Sequence, residues 1–154
     1  MKRTKNQTIL LVLAIIQFVS GGFYALQGIM LNFARGSLSE EQLMAGFAEA
    51  GISEADMDVA LITSKVIGYT MVIVGLLSVV IGILAFRASR DASRAKTIRT
   101  VAIVLLVLNV FNLFGDRSIN GILTLVLSGL MLYAADQTSK EYELSKRQES
   151  QQLL

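Results

Sequence analysis

Six carboxylates lie in one short stretch of the sequence, and they are the side chains best suited to chemistry in this chain. They are Glu40, Glu41, Glu49, Glu54, Asp56 and Asp58. The close spacing of the last three resembles a calcium loop, but the glycine and the distal glutamate of an EF-hand are missing. A helix would also point alternate residues in different directions. We therefore interpret the stretch as a solvated acidic surface and predict no metal site.

Other catalytic side chains are scarce. The chain has no His and no Cys, which removes the commonest general base and every thiolate nucleophile or ligand. The remaining carboxylates, near the predicted surface, do not form a catalytic constellation. We predict that the protein is not an enzyme, has no catalytic residue and binds no cofactor.

A second group of polar side chains lies inside apolar stretches. Its members are Gln17, Ser20, Tyr24 and Gln27 in the first stretch and Asn109 and Asn112 in the third. The first four share one face of a helix. Because amides facing lipid are costly, we expect this face to turn toward other helices and form hydrogen bonds there. Alternatively, the same side chains line a water path through an oligomeric channel or transporter.

Four uncharged runs can position these polar residues. They cover residues 9–33, 66–86, 100–115 and 118–135 in a chain of 154 residues that is 53% hydrophobic. At about 1.5 Å per residue, the first two easily cross a hydrocarbon layer of roughly 30 Å and the last two just reach. We predict an all-α integral membrane four-helix bundle over residues 1–135 and a polar cytoplasmic tail over 136–154. The alternative is a re-entrant hairpin of the last two runs.

The distribution of basic residues predicts the orientation. Eleven of the fourteen Lys and Arg residues fall on one side of the four-span arrangement, which predicts that this side and both termini are cytoplasmic. The loop 87–99 carries Arg87, Arg90, Arg94, Lys96 and Arg99, and we expect these five to contact lipid headgroups. No aromatic residue lies in this loop, so we predict no nucleic-acid binding. The N-terminal run continues to Phe33, which favours an uncleaved anchor over a signal peptide.

The acidic connection, residues 35–58, is predicted to be extracytoplasmic and helical. Ser39-Glu-Glu-Gln42 has the form of a capping box, and Gly51 is a natural end for the short amphipathic helix that follows. A second start signal begins at Ser53 and leads toward the second span. We interpret Lys65 as an anchor at the outer membrane surface, with an ion pair to Asp116 as the alternative.

Small residues recur every seven positions. They are Ala14, Gly21 and Gly28 in the first span, Gly68, Gly75 and Gly82 in the second, and Gly121 and Ser128 in the fourth. This period keeps small residues on one seam and lets two helix backbones approach closely. We predict that the first two spans pack through this seam.

Several segments together resemble a known family. They are MKRT before the first span, the acidic outer helix, the span GLLSVVIGILAF, the basic loop and the closing INGILTLVLSGLML. Over roughly residues 1–133 the chain is similar to the small four-span membrane proteins of Gram-positive bacteria that are grouped as a domain of unknown function. The resemblance implies a bacterial plasma-membrane location, no established activity and no catalytic residues to transfer.

From these patterns we predict a non-enzymatic, multi-pass membrane accessory protein. Its packed helices and acidic outer helix would bind a membrane-protein partner or a second copy, and its basic loop would bind membrane lipids. A role in the cell envelope or in protection against membrane-active agents is consistent with this interpretation. The alternative function is a small oligomeric channel or transporter for a small solute or ion.

Overall fold

The fold consists of long helices joined by short connections. A computed structural model describes residues 4–115 and 119–152; the side chains of residue 54 and residues 112–120 lie outside the described part. The described residues form five α-helices, which are α1 (Lys5–Gly36), α2 (Glu40–Glu49), α3 (Met57–Arg90), α4 (Ala95–Gly115) and α5 (Ile119–Gln152). Short 3-10 turns, Glu54–Asp56 and Ala92–Arg94, precede α3 and α4. No strand occurs in these ranges, and the all-α prediction is confirmed.

Within residues 4–115 and 119–152, three helices are long and apolar enough, by length and composition, to cross a membrane. They are α1, α3 and, over Gly121–Gln152, α5. These helices indicate a membrane protein. Crossing by α4, and with it the four-span arrangement, stays a prediction.

The helices continue from the apolar runs into the charged segments beside them. Instead of a loop over residues 87–99, α3 runs through Arg90 and α4 begins at Ala95, so the connection is only four residues long. Arg and Lys are good helix formers, and Arg87 and Arg90 suit the negative end of the helix dipole. Likewise, α5 continues from the predicted span to Gln152 in one helix.

The connection between α1 and α3 folds through local capping. Ser39 caps α2, and both hydrogen bonds of the capping box with Gln42 are present, as predicted. The N–H groups of Gly51 and Ile52 donate to the carbonyls of Ala48 and Phe47 at 3.0 Å, while Gly51 has a φ of +81°. This pattern is a Schellman motif, which requires the left-handed conformation that glycine adopts without strain. Ser53 donates to the Asp56 carboxylate at 2.6 Å. The second helix start that was predicted at Ser53 is a 3-10 turn, Glu54–Asp56, which precedes α3.

The chain divides into two compact units. We call residues 4–18 and 80–152 the core unit and residues 19–79 the glycine unit. In the core unit, side chains from α1, α3, α4 and α5 meet in one buried cluster: Leu10, Leu13, Ala14, Ala85, Ala88, Ile98, Ala102, Met131, Ala134 and Ala135. Four long helices thus share one apolar core in this unit, and small alanines alternate there with larger side chains.

Candidate functional site

The glycine unit brings the backbones of α1 and α3 together at predicted packing positions. A Cβ atom built on Gly21 would lie 2.6 Å from the Ser78 Cβ, and one built on Gly28 would lie 2.8 Å from the Gly68 carbonyl oxygen. On α3, a Cβ built on Gly75 would overlap the backbone of Ala25. Real Cβ atoms do not approach other atoms this closely, so the two helices can lie this near each other only because glycine has no side chain.

The core unit uses the other small residues of the same pattern. A Cβ built on Gly82 would lie 3.0 Å from the carbonyl oxygen of Ala14, and Ala14 is itself buried. On α5, Gly121 and Ser128 are both buried. The eight small residues predicted for helix packing are therefore all buried, in two separate units.

A hydrogen bond between side chains joins α4 to α5. The Asn109 Nδ2 atom donates to the Ser128 Oγ at 2.6 Å, and that hydroxyl donates in turn to the carbonyl of Thr124 at 2.7 Å. Asn109 thus has a packing role in the core unit. The side chain of Asn112, the other predicted intramembrane amide of α4, lies outside the described residues.

The predicted polar face of α1 is mostly exposed within the described chain. Gln17 is half-buried, whereas Ser20, Tyr24 and Gln27 are exposed. The physical reason is that the close approach to α3 is made by Gly21, Ala25 and Gly28, and the polar side chains lie to one side of that seam. Tyr24 and Gln27 are therefore exposed on α1, and the expectation that this face packs against other helices stays a prediction.

Asn32 is a packing residue that the sequence reasoning missed. Its side chain lies against Gly68, so that a Cβ built there would be 2.6 Å from the Asn32 Oδ1. Its amide donates to the carbonyl of Gly28 at 2.9 Å, which keeps the amide bonded within its own helix. Continuing the small-residue seam one helical turn beyond Gly28 would have pointed to this position.

A cleft of the glycine unit combines polar and apolar side chains. It is about 410 Å³ in volume and is lined by Asn32, Arg35, Gly36, Leu38, Glu40, Leu43, Leu61, Lys65 and Tyr69. Lys65 is exposed, as an interface anchor would be. Its alternative partner, Asp116, lies outside the described residues.

The basic residues predicted to contact lipid have different surroundings. Arg99 pairs with Asp136 at 3.1 Å, and Lys140 pairs with the other carboxylate oxygen at 2.6 Å. Lys96 is exposed. The sequence reasoning missed Asp136, although the spacing of an acid four residues before a lysine is a signal for a helix pair.

The short connection before α4 is organised by Asp91. Its carboxylate accepts hydrogen bonds from the Ser93 hydroxyl at 2.6 Å and the Ser93 backbone N–H at 3.0 Å. These bonds, with a smaller contribution from Arg94, hold the pKa of Asp91 below its ordinary value of 3.8. Asp91 is therefore ionised at neutral pH and positions Arg94, whose Nε lies 3.2 Å from the carboxylate.

The acidic side chains that the structure describes do not form a metal cage. Within residues 4–115 and 119–152, no group of three or more His, Cys, Asp or Glu side chains is arranged to hold a metal ion. The arrangement instead provides two contact surfaces. Tyr24 and Gln27 expose hydrogen-bonding groups on an apolar helix, and three arginines lie around the connection between α3 and α4.

No protein-family model, curated protein or solved structure matches the chain significantly.

Proposed function

We propose that the protein is a non-enzymatic membrane accessory protein that binds a transmembrane helix of a partner protein. The observation that supports this proposal is the exposure of Tyr24 and Gln27 on α1, with Tyr24 43% exposed. They lie nine and six residues before Phe33, the end of the uncharged run. That spacing corresponds to about 14 and 9 Å inside the apolar segment.

Lipid tails offer no hydrogen bonds to these groups. Neither side chain makes a hydrogen bond within the part of the chain that the structure describes, and a phenol or amide facing hydrocarbon is unfavourable unless it finds a partner. A polar residue on a neighbouring helix would supply one, although each such bond contributes only about 0.6 kcal/mol on average. The acidic helix α2 offers a second contact outside the membrane, because Glu40, Glu41 and Glu49 are exposed.

Crosslinking in native membranes, followed by mass spectrometry, tests this function. The variant Tyr24→Phe with Gln27→Leu removes both hydrogen-bonding groups and nearly preserves shape. We expect it to lose a specific partner that the wild-type chain captures. Phe23→Leu with Met30→Leu is the matched control, since both residues are exposed apolar side chains of α1.

The outcomes separate the possibilities. A partner lost only with the Tyr24 and Gln27 variant supports the proposal. Capture of the same proteins by all three chains contradicts it. If the chain crosslinks only to a second copy of itself, the partner is a homo-oligomer.

A homo-oligomer would favour the second candidate function, a small channel or transporter. The same polar side chains of several copies could then line a water path. Solute flux through liposomes containing the purified chain, abolished by Tyr24→Phe with Gln27→Leu, would support this function. Absence of flux from wild-type liposomes would leave the accessory function in place.

We place the protein in a bacterial plasma membrane, with four spans and both termini in the cytoplasm. The 21 residues of α4 extend about 32 Å, enough for one crossing, and the basic residues favour the cytoplasmic side. The Cys-free chain allows a direct test with a membrane-impermeant thiol reagent. Ala48→Cys should react from outside and Thr97→Cys only after lysis, both positions being exposed. Reaction of Thr97→Cys in intact cells would overturn the orientation.

The re-entrant alternative has its own test. A full crossing by α4 and α5 places the link between them outside the cell, whereas a re-entrant hairpin keeps it within the membrane or near the cytoplasm. External labelling of Ser118→Cys in intact cells would support four spans. Protection of this position with labelling of Ala48→Cys in the same preparation would support the hairpin.

A further inference from the structure

An apolar groove runs between α1 and α3 in the core unit. Its volume is about 290 Å³, and it is lined by Ala14, Ile15, Phe18, Gly82, Ile83 and Phe86. The small residues Ala14 and Gly82 are buried and form its floor, while Ile15, Phe18 and Ile83 are 40–53% exposed and form its walls. Every lining side chain is apolar, so the groove suits a hydrocarbon chain.

A basic cleft adjoins this groove. Its volume is about 580 Å³, and its lining consists of Ile83, Phe86, Arg87, Arg90, Asp91 and Arg94. Ile83 and Phe86 belong to both surfaces. An apolar groove and a basic cleft are therefore continuous along one side of α3.

The cleft has a net positive charge with two cations available for a ligand. Arg94 is paired with Asp91 at 3.2 Å, so that three arginines and one aspartate give a net charge of +2. The Arg90 guanidinium carbon lies 4.5 Å from the centre of the Phe86 ring, which orients it by a cation–π interaction. No carboxylate among the described residues lies within ion-pair distance of Arg87 or Arg90.

We propose that the groove and the cleft together bind one anionic phospholipid, with its phosphate at Arg87 and Arg90 and one acyl chain beside Phe18 and Ile83. Guanidinium groups bind phosphate oxygens in a forked geometry that suits them to this role. A free phosphate would gain nothing from the apolar groove, and an apolar peptide would gain nothing from the arginines. A lipid anion matches both surfaces, and this site does not depend on the protein contact proposed above.

The proposed lipid site is tested by measuring which defined lipids the purified protein retains. The purified full-length chain is titrated in detergent with dioleoyl phosphatidylglycerol or dioleoyl phosphatidylcholine, and bound lipid is counted by native mass spectrometry. We expect one tightly held phosphatidylglycerol and no equally tight phosphatidylcholine. Replacing Arg87→Gln with Arg90→Gln should weaken phosphatidylglycerol binding about 25-fold, because each basic residue near an anionic surface contributes roughly a factor of five.

A matched control distinguishes a specific lipid site from nonspecific attraction of the lipid to the positive charge of the protein. Lys146→Gln with Arg147→Gln removes the same charge from exposed positions of α5 and should leave binding unchanged. Arg87→Lys with Arg90→Lys keeps the charge, loses the forked geometry and should give an intermediate affinity. An equal loss in the α5 control and in the Arg87 and Arg90 variant would overturn the proposal.

The apolar groove is tested by comparing the affinities for lipids with long and short acyl chains. Ile83→Trp fills the groove from its wall, and we expect the affinity for the dioleoyl lipid to fall to that for the dihexanoyl form. Val80→Trp is the control, since Val80 is an exposed residue of α3 outside the groove. Circular dichroism verifies that each variant is folded. Unchanged binding by Ile83→Trp, or equal competition by glycerol phosphate alone, would overturn the assignment of the groove.

Discussion

The glycine unit and the core unit both use small residues for close approach, but they differ in what else fills the contact between helices. In the glycine unit, α1 and α3 approach at Gly21, Gly28, Gly68 and Gly75, with backbone atoms directly against each other. In the core unit, four helices surround large buried side chains, including Leu10, Ile98 and Met131. The contact in the glycine unit requires positions without a side chain, whereas the contact in the core unit requires large side chains.

This difference predicts opposite sensitivities to mutation. Lipid tails are as apolar as leucine, so two helices gain little from burying large side chains and more from close van der Waals contact. Added volume should therefore damage the glycine unit, whereas lost volume should damage the core unit.

The largest effect is expected from adding a side chain at Gly75. Gly75→Leu should lower the free energy of unfolding by about 3 kcal/mol, because the backbone of Ala25 leaves no space and must move. Unfolding by dodecyl sulfate, followed by circular dichroism, measures this loss. Gly22→Leu is the control, since a Cβ built there meets nothing within 4 Å. Equal losses in both variants would show that the close approach at Gly75 is unimportant.

Removing volume from the core unit should have the next largest effect. Met131 is 1% exposed, and Met131→Ala should cost about 2 kcal/mol through lost contacts and the cavity that remains. The neighbouring Leu130, which is exposed, gives the control variant Leu130→Ala. The same unfolding titration applies, and a smaller loss at position 131 than at position 130 would contradict the buried core.

A smaller effect is expected for the hydrogen bond between α4 and α5. Asn109→Leu keeps the approximate size and removes the bond to Ser128, which should cost about 0.6 kcal/mol. A double-mutant cycle with Ser128→Ala isolates the pair, because the second substitution should cost less when Asn109 is already absent. Strict additivity of the two losses would contradict the direct bond.

The smallest effect concerns pH and the two capped connections. The pKa of Asp91 is lowered in the folded chain, so its contribution is fully present above the unfolded pKa and is lost as pH falls through the folded pKa. Hydrogen exchange should therefore show falling protection of the Ser93 amide as the pH is lowered below the ordinary Asp pKa of 3.8. The Gln42 amide, capped by the neutral Ser39 hydroxyl, is the control. Equal loss of protection at both amides would contradict the assignment to Asp91.

Local patterns in the sequence predicted local structure well. Ser39, Gln42 and Gly51 determine their capping geometry within a few residues, and the structure has each as expected. The seven-residue spacing also indicated which positions allow close approach, because a period is a property of the sequence itself. Helix ends were less predictable, since Arg87 and Arg90 extend α3 beyond its apolar run.

The direction of the polar face required information that the sequence pattern does not contain. The spacing of Gln17, Tyr24 and Gln27 places them on one face, beside the small-residue seam, but does not state whether another helix covers that face. In the structure α3 meets α1 at Gly21 and Gly28, and Tyr24 and Gln27 are exposed. The groove beside Phe18 and Phe86 could not be predicted either. Packing of the first two spans was expected from the sequence, but the shape of the space between their side chains depends on how α1 and α3 lie against each other.

The uninterrupted helix α5 has a mechanical consequence. From Asp136 to Gln152 it extends beyond its apolar part for about 24 Å, and a hydrogen bond of 2.6 Å from Asn6 to Glu141 fastens the start of α1 to it. Thr138 and Ser139 are still buried, so the exposed part of this extension covers residues 140–152 and is about 20 Å long. Because its backbone groups are bonded within one helix, the distance from the core to Gln152 is fixed, as it would not be in an irregular tail.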